Sequence, residues 1–137
     1  MPIPAKDKNE IREAALFLEH YGYSVSEDAY SIAYSQNTVT IDVTYPPHGG
    51  EGSVGIRFGD TNSYFDIGWI AFVRTGRKGR SEKLEHVKEL LEYVREHYPE
   101  IIDRHFCEES MKLVDEYFKK HEKECEITKN TFLQANR

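Results

Sequence analysis

Apolar positions recur with two different periods along this chain. In "DKNEIREAALFLEHY", residues 7–21, Ile11, Ala14, Ala15, Leu18 and Tyr21 fall three or four apart, the spacing that lines one face of a helix. Asp7 with Glu10 has the form of a capping box, and Gly22 offers a left-handed residue at which a helix stops. The period then drops to two. Tyr30, Ile32 and Tyr34 alternate with Ser31, Ala33 and Ser35. After a tight turn at Gln36–Asn37, Val39, Ile41, Val43 and Tyr45 alternate with Thr38, Thr40, Asp42 and Thr44. This is the signature of a half-buried hairpin. "PPHGGEG" reads as a loop, "SVGIRF" as a third strand with Val54, Ile56 and Phe58 inward, and "GDTN" as a turn.

"SYFDIGWIAFVR" reads as the fourth and longest strand. Phe65, Ile67, Trp69, Ala71 and Val73 point one way, and Tyr64, Asp66, Gly68, Ile70, Phe72 and Arg74 the other. That second face begins polar and ends apolar. Both faces therefore need cover near Ile70 and Phe72, as in a central strand or one backed by a helix, the tail or a partner. The helical period returns after Ser81, a good N-cap residue, with Leu84, Val87, Leu91, Val94 and Tyr98. Pro99 ends that helix. Residues 100–124 form a second long one, with Ile102, Phe106, Leu113 and Tyr117 on its stripe and Met111, Val114 and Phe118 near it. The tail, 126–137, is polar with one apolar pair, Phe132–Leu133. The expected fold is α+β: a four-stranded antiparallel meander with one N-terminal and two C-terminal helices, in the order α-β-β-β-β-α-α.

Composition narrows the function classes. A chain of 137 residues suggests one domain, 1–137, able to bury an ordinary core. Seven Phe, nine Tyr and one Trp argue against disorder. No apolar run approaches the roughly 20 residues that span a bilayer, and "MPIPAKDKNE" has no apolar signal region. Two cysteines, Cys107 and Cys125, are too few for a disulfide framework and read as reduced thiols, so a cytoplasmic location is expected. The net charge of −6 disfavours a nucleic-acid footprint and suits a basic protein partner.

The usual chemical motifs do not assemble. Gly50, Gly52 and Gly55 spell G-x-G-x-x-G, but a strand follows them rather than the helix that holds a pyrophosphate, so they read as a hairpin loop. His105, Cys107, His121 and Cys125 are metal-ligand types. Cys107 and His121 lie about 21 Å apart along a straight helix, too far for one ion. No G-x-S-x-G elbow is present, and neither cysteine sits in an electropositive setting. Asp42 and Asp66 share a face, but exposed strand aspartates are ordinarily only solvated. No catalytic residue, metal or cofactor is expected.

The apolar fourth segment empties into five cations within ten residues: Arg74, Arg77, Lys78, Arg80 and Lys83. Three readings stay open: a solvated strand-to-helix connection, a contact for a protein partner, or an anion site built from Arg77, Lys78, Arg80 and the helix start at Ser81. The last is the route to a phosphate- or nucleotide-binding domain.

The strand block "YSIAYSQNTVTIDVTYPP", "GSVGIRF" and "YFDIGWIAFVR", followed by two acidic helices, resembles small immunity-type proteins of bacterial polymorphic and contact-dependent toxin systems. The likeness extends over residues 10–120 and is most specific in "IGWIAFVR". It implies a non-enzymatic protein that binds and blocks a cognate toxin, a basic one given the acidity here. It transfers no contact residue. From the residues themselves, the patch expected to meet a partner is Asp42, Arg57, Tyr64 and Asp66 on the sheet back, with Ile70 and Phe72 at its apolar end. The chain is expected as a monomer, or as a homodimer burying that apolar end. An enclosed polar cleft at Ile70 and Phe72, with acids and histidines converging on it, would argue for catalysis instead.

Overall fold

The alternating segments pair in sequence order into one antiparallel sheet, shown by a computed structural model that describes residues 2–47, 51–59, 63–80 and 82–121. Its strands are β1 (Ser24–Glu27), β2 (Ser31–Gln36), β3 (Val39–Thr44), β4 (Ser53–Phe58) and β5 (Tyr64–Asp66). Five strands replace the expected four. The addition, β1, is an edge strand whose Val25 alone is half-buried, so its four residues show no clear alternation. The β2–β3 turn places Asn37 at φ 53°, a left-handed conformation that asparagine tolerates. Registers align the inward rows: Ile32 opposes Val43, Tyr34 opposes Ile41, Ile41 opposes Ile56, and Ile56 opposes Phe65. The four aliphatic members of these rows, and Tyr34, are fully buried. Each contributes about 1.5–3 kcal/mol of burial for a side chain of this size. Tyr30, expected inward with them, is exposed.

The fourth segment departs furthest from expectation. It is a strand for three residues and a helix, α3 (Ile67–Thr75), for the next nine. Asp66 holds an extended conformation and accepts the Gly68 N–H on its side chain at 2.7 Å, which is an N-cap. Gly76 closes the other end at φ 72°, where a β-carbon would be strained. Ile67, Ile70 and Ala71 are buried, at the i, i+3, i+4 positions of one helix face. A continuous apolar run does not distinguish strand from helix by period alone. Here the caps decide, and the helix resolves the problem of two apolar faces. One side packs on β4 and α4 (Lys83–Glu96), the other on α6 (Arg104–Lys120).

The other helices follow their patterns with shifted bounds. The first breaks at Ala15 into α1 (Ala5–Ala14) and α2 (Leu16–His20). Pro4, not Asp7, flanks its start, and Asp7 accepts the Tyr45 hydroxyl at 2.5 Å. The second of the two C-terminal helices is preceded by a short α5 (Tyr98–Ile101), and α6 starts where the Asp103 carboxylate caps His105 N–H at 3.0 Å. The α6 stripe is rotated from expectation: Cys107, Ser110 and Val114 are the buried residues, and of these only Val114 was expected near the stripe. α4 lies on β4 with α1 beside it. The expected cap at Ser81 falls outside the described residues; Glu82 flanks α4 without a side-chain cap bond. None of the described helices is long and apolar enough to cross a membrane.

Candidate functional site

On the sheet face away from the core, the outward rows are polar. Asp42 pairs across from Gly55, and Gly55 from Asp66; Thr40 pairs with Arg57, and Arg57 with Tyr64. Arg57 Nε donates to Asp42 Oδ2 at 2.6 Å, diagonally across the strands, and the bond raises the guanidinium pKa. Tyr64 covers Gly55. A β-carbon there would stand 2.1 Å from the phenol, so glycine is what lets the ring lie close against the strand. Burial, and then Asp66, raise the Tyr64 pKa. Asp42, Arg57, Tyr64 and Asp66 are therefore neighbours, as the alternation predicted.

Ile70 and Phe72 are not their apolar end. On a helix the two lie about 200° apart rather than on one side. Ile70 is fully buried in the core, while Phe72 faces the α3–α6 seam, 5.1 Å centroid to centroid from Tyr117. Trp69 joins it there, 5.9 Å from Phe72 and 5.0 Å from Phe118, and remains 38% exposed. The alternating reading had turned Trp69 inward. The i, i+3 relation between Trp69 and Phe72, with Asp66 as a cap, was the signal that could have revealed this aromatic wall.

The wall forms one side of an open groove of about 680 Å³ at the sheet edge. Asp66 and Ser53 lie at its sheet end, and Trp69, Phe72 and Tyr117 supply the aromatic side. Arg77, Lys78 and Arg80, and His86 and Leu90 of α4, also line it. Members of the two residue sets that the sequence kept apart, Asp66 and Phe72 from one and the three cations from the other, thus meet in one depression. The cationic segment is a connection between two helices, α3 and α4, rather than between a strand and a helix.

Most of its charge is already engaged. Arg77 donates to Glu96 at 2.8 Å and lies over the Tyr93 ring at 5.6 Å. Arg80 Nε donates to Glu89 at 2.8 Å. Arg74 bonds Ser110 Oγ at 3.0 Å and stacks on Phe106, and Lys83 bonds the Pro46 carbonyl beside Tyr45. Lys78 has no ion pair or hydrogen bond among the described residues. Of the groove's two acids, Glu51 is exposed, whereas Asp66 and the His86 imidazole are occupied. Asp66 caps α3, and His86 Nδ1 accepts the Arg80 N–H at 3.3 Å. Phe72 thus borders a polar depression lined by two acids and a histidine, but the depression is open, Ile70 is absent from its lining, and Asp66 and His86 hold backbone in place.

Other candidate groups stay apart. Cys107 is fully buried, its thiol bonded to the Ile101 carbonyl at 3.3 Å, and burial pushes its pKa up to about 12, which suppresses the thiolate. Cys107 lies in the first turn of α6 and His121 just past its end, consistent with their separation in the sequence. Among the described residues no three His, Cys, Asp or Glu side chains cluster as a metal site would require. Gly50 and Cys125 lie outside the described residues. Compared with known proteins, the chain matches no family model, no curated protein and no solved structure.

Proposed function

We propose that this chain is a non-enzymatic protein-recognition module of the immunity type, binding and blocking a toxin domain. The observation that carries the reading is the continuity of one surface. The Asp42–Arg57 pair and Tyr64 on the open sheet face run through Ser53 and Asp66 into the groove walled by Trp69 and Phe72. Tryptophan, tyrosine and arginine are the side chains that dominate binding energy at protein interfaces. Rigid strands and a capped helix hold them, which limits the entropy lost on docking. The engagement of Asp66 and His86 in structural hydrogen bonds favours recognition over proton transfer at the same place.

Charge supports the choice of partner. The exposed acids of α4 and α6, among them Glu85, Glu92, Glu108 and Glu116, give the molecule its negative field. That field accelerates encounter with a basic toxin domain and repels acidic competitors. The phosphate or nucleotide alternative draws less support, since Arg77 and Arg80 are each compensated by a glutamate.

The test is binding of the purified chain to a basic toxin domain by surface plasmon resonance. A one-to-one complex is expected, with an association rate that falls as salt rises. Tyr64→Ala and Trp69→Ala are each expected to weaken it by about tenfold or more, as for interface anchors. Turnover of a substrate by the chain alone, or a complex indifferent to both substitutions, would remove this reading.

A further inference from the structure

We infer that the outer edge of β1 pairs with the same edge of a second copy of this chain, antiparallel about a two-fold axis through Val25, so that the two sheets become one. β1 is the end strand of an open sheet and pairs with β2 alone. The opposite end strand, β5, is three residues long and passes straight into α3. Which backbone groups of β1 turn outward follows from its register. Hydrogen-bonded and non-bonded pairs alternate along an antiparallel ladder. The Asp28 N–H donates to the Ser31 carbonyl at 2.9 Å, so Ser26 with Ala33 and Ser24 with Ser35 are the bonded pairs. Val25 and Glu27 therefore turn their N–H and C=O groups away from β2. Among the described residues no backbone group of another segment bonds them there. Such a row is a template for another strand, unless lysine, proline, a bulge or an inward charge guards it. β1 has no lysine or proline, and its register is continuous. Its one inward charge, Glu27, is neutralised by Arg12 at 2.7 Å and Lys8 at 3.5 Å.

The side chains commit this edge to a second copy. Val25 and Glu27 share the core side of the sheet with Tyr34 and Ile32, while Ser24 and Ser26 lie on its back. Outward backbone groups of two such edges meet only when Val25 or Glu27 of one copy stands opposite Val25 or Glu27 of the other. One register sets Val25 against its symmetry mate and Ser24 against Ser26. The next sets Val25 against Glu27, an apolar side chain against a carboxylate. The first is self-complementary, as a two-fold interface requires. Two half-buried valines cover each other, their N–H and C=O groups bond reciprocally, and no like charges stand opposed. Antiparallel pairing also brings the Tyr21 end of one strand to the Tyr30 end of the other. Tyr21 and Tyr30 are 47% and 40% exposed, each three residues beyond the strand. An edge of four residues buries less than a standard interface, so the dimer is a weak one. β1 lies at the other end of the sheet from β5 and Asp66. The dimer therefore leaves both recognition surfaces open, and the inference does not depend on what they bind.

Sedimentation velocity on the full chain tests this. The mass is expected to rise from one copy to two with a Kd of about 100 µM, in the range of small interfaces. Each copy carries a net charge of −6, so the dimer is expected to tighten about threefold or more between about 50 mM and about 500 mM salt. That is the opposite of a complex with a basic partner. Val25→Pro removes an outward N–H and no bond of the β1–β2 ladder. It is expected to weaken the dimer at least about tenfold with the circular dichroism unchanged. Val25→Cys tests the pairing with the backbone intact. In a Cys125→Ser background, oxidised glutathione converts two such thiols to a disulfide and is itself reduced to two glutathione thiols. Across the axis the α-carbons of a bonded pair stand about 5.5 Å apart, within disulfide reach. Ser26→Cys meets its mate only on a diagonal of about 7–8 Å and is expected to cross-link at least about tenfold more slowly. Cys107 is fully buried and does not compete. A chain monomeric throughout, a dimer that salt weakens, a dimer indifferent to Val25→Pro, or equal cross-linking at both positions would each overturn the inference. A monomer whose complex with a toxin domain is weakened by Val25→Pro would assign the edge to a strand of that partner. It would overturn the second copy and leave the recognition reading standing.

Discussion

"TVTIDVTY" and "YFDIGWIAFVR" look alike as patterns, and they fold differently. In the first, Val39 to Thr44 form β3, where every second residue is polar and every inward one apolar. In the second, strict alternation lasts only through Tyr64, Phe65 and Asp66, after which both registers turn apolar. A strand with two apolar faces needs cover on both sides, and the sheet back offers none among the described residues. A helix buries Ile67, Ile70 and Ala71 toward the sheet and α4, and turns Trp69 and Phe72 toward α6. The contrast shows that alternation is informative only while its polar half persists. Where that half fails, local capping decides the element, and with it the site.

The largest test compares two residues that a strand would make equivalent. Ile70→Ala is expected to cost about 2–5 kcal/mol, as for a fully buried aliphatic side chain, matching Ile56→Ala in β4. Phe72→Ala, at a half-buried ring, is expected to cost roughly half as much, in proportion to the area it buries. Chemical denaturation of the three variants measures this. Equal losses at Ile70 and Phe72 would favour the strand.

Next in size is an alkaline test of whether the sheet and the helical layer open together. Burial pushes Tyr34, in β2, and Cys107, in α6, up to about 12. Both pKa values are raised in the folded chain, so the folded state prefers the neutral forms. The stability they provide is whole below about pH 9 and is lost as pH climbs toward 12. For Cys107 alone the loss is on the order of 2 kcal/mol by about pH 11. In a Cys125→Ser variant, thiol labelling of Cys107 is expected to rise in step with the loss of circular dichroism. Labelling that precedes unfolding would separate the two layers.

Asp66→Ala removes the cap that starts α3 and is expected to cost about 1 kcal/mol, while Asp66→Asn retains most of it. Thermal melts of the pair distinguish capping from simple charge removal. The smallest effect is expected at Asp42→Ala, where a half-exposed ion pair with Arg57 is worth about 0.5 kcal/mol or less and fades with salt. A loss there larger than at Asp66 would mean that the sheet back carries more of the fold than its exposure suggests.

Several features were legible in the residues alone. Period two placed β2, β3 and β4 and their inward rows, because a one-residue slip would have moved every apolar side chain to solvent. The same parity put Asp42, Arg57, Tyr64 and Asp66 side by side on the outer face. Period 3.6 placed α4, and the continuous polar–apolar texture from Lys83 onward made its existence plain. Less was legible of the site. Trp69, Tyr117 and His86 belong to three elements whose approach no local pattern encodes, and the short β1 carries too few residues to show a period.

What the sequence determined by itself is thus the set of local choices: an antiparallel α+β arrangement, the faces of its regular strands, and the charge on its connection after residue 75. Those follow from side-chain parity and capping chemistry, which act between residues near in the chain. Only the tertiary structure decided that Ile70 belongs to the core and that aromatic residues and cations distant in sequence line one groove. Those outcomes depend on which surfaces are available to cover an apolar face, and that is settled by packing rather than by period.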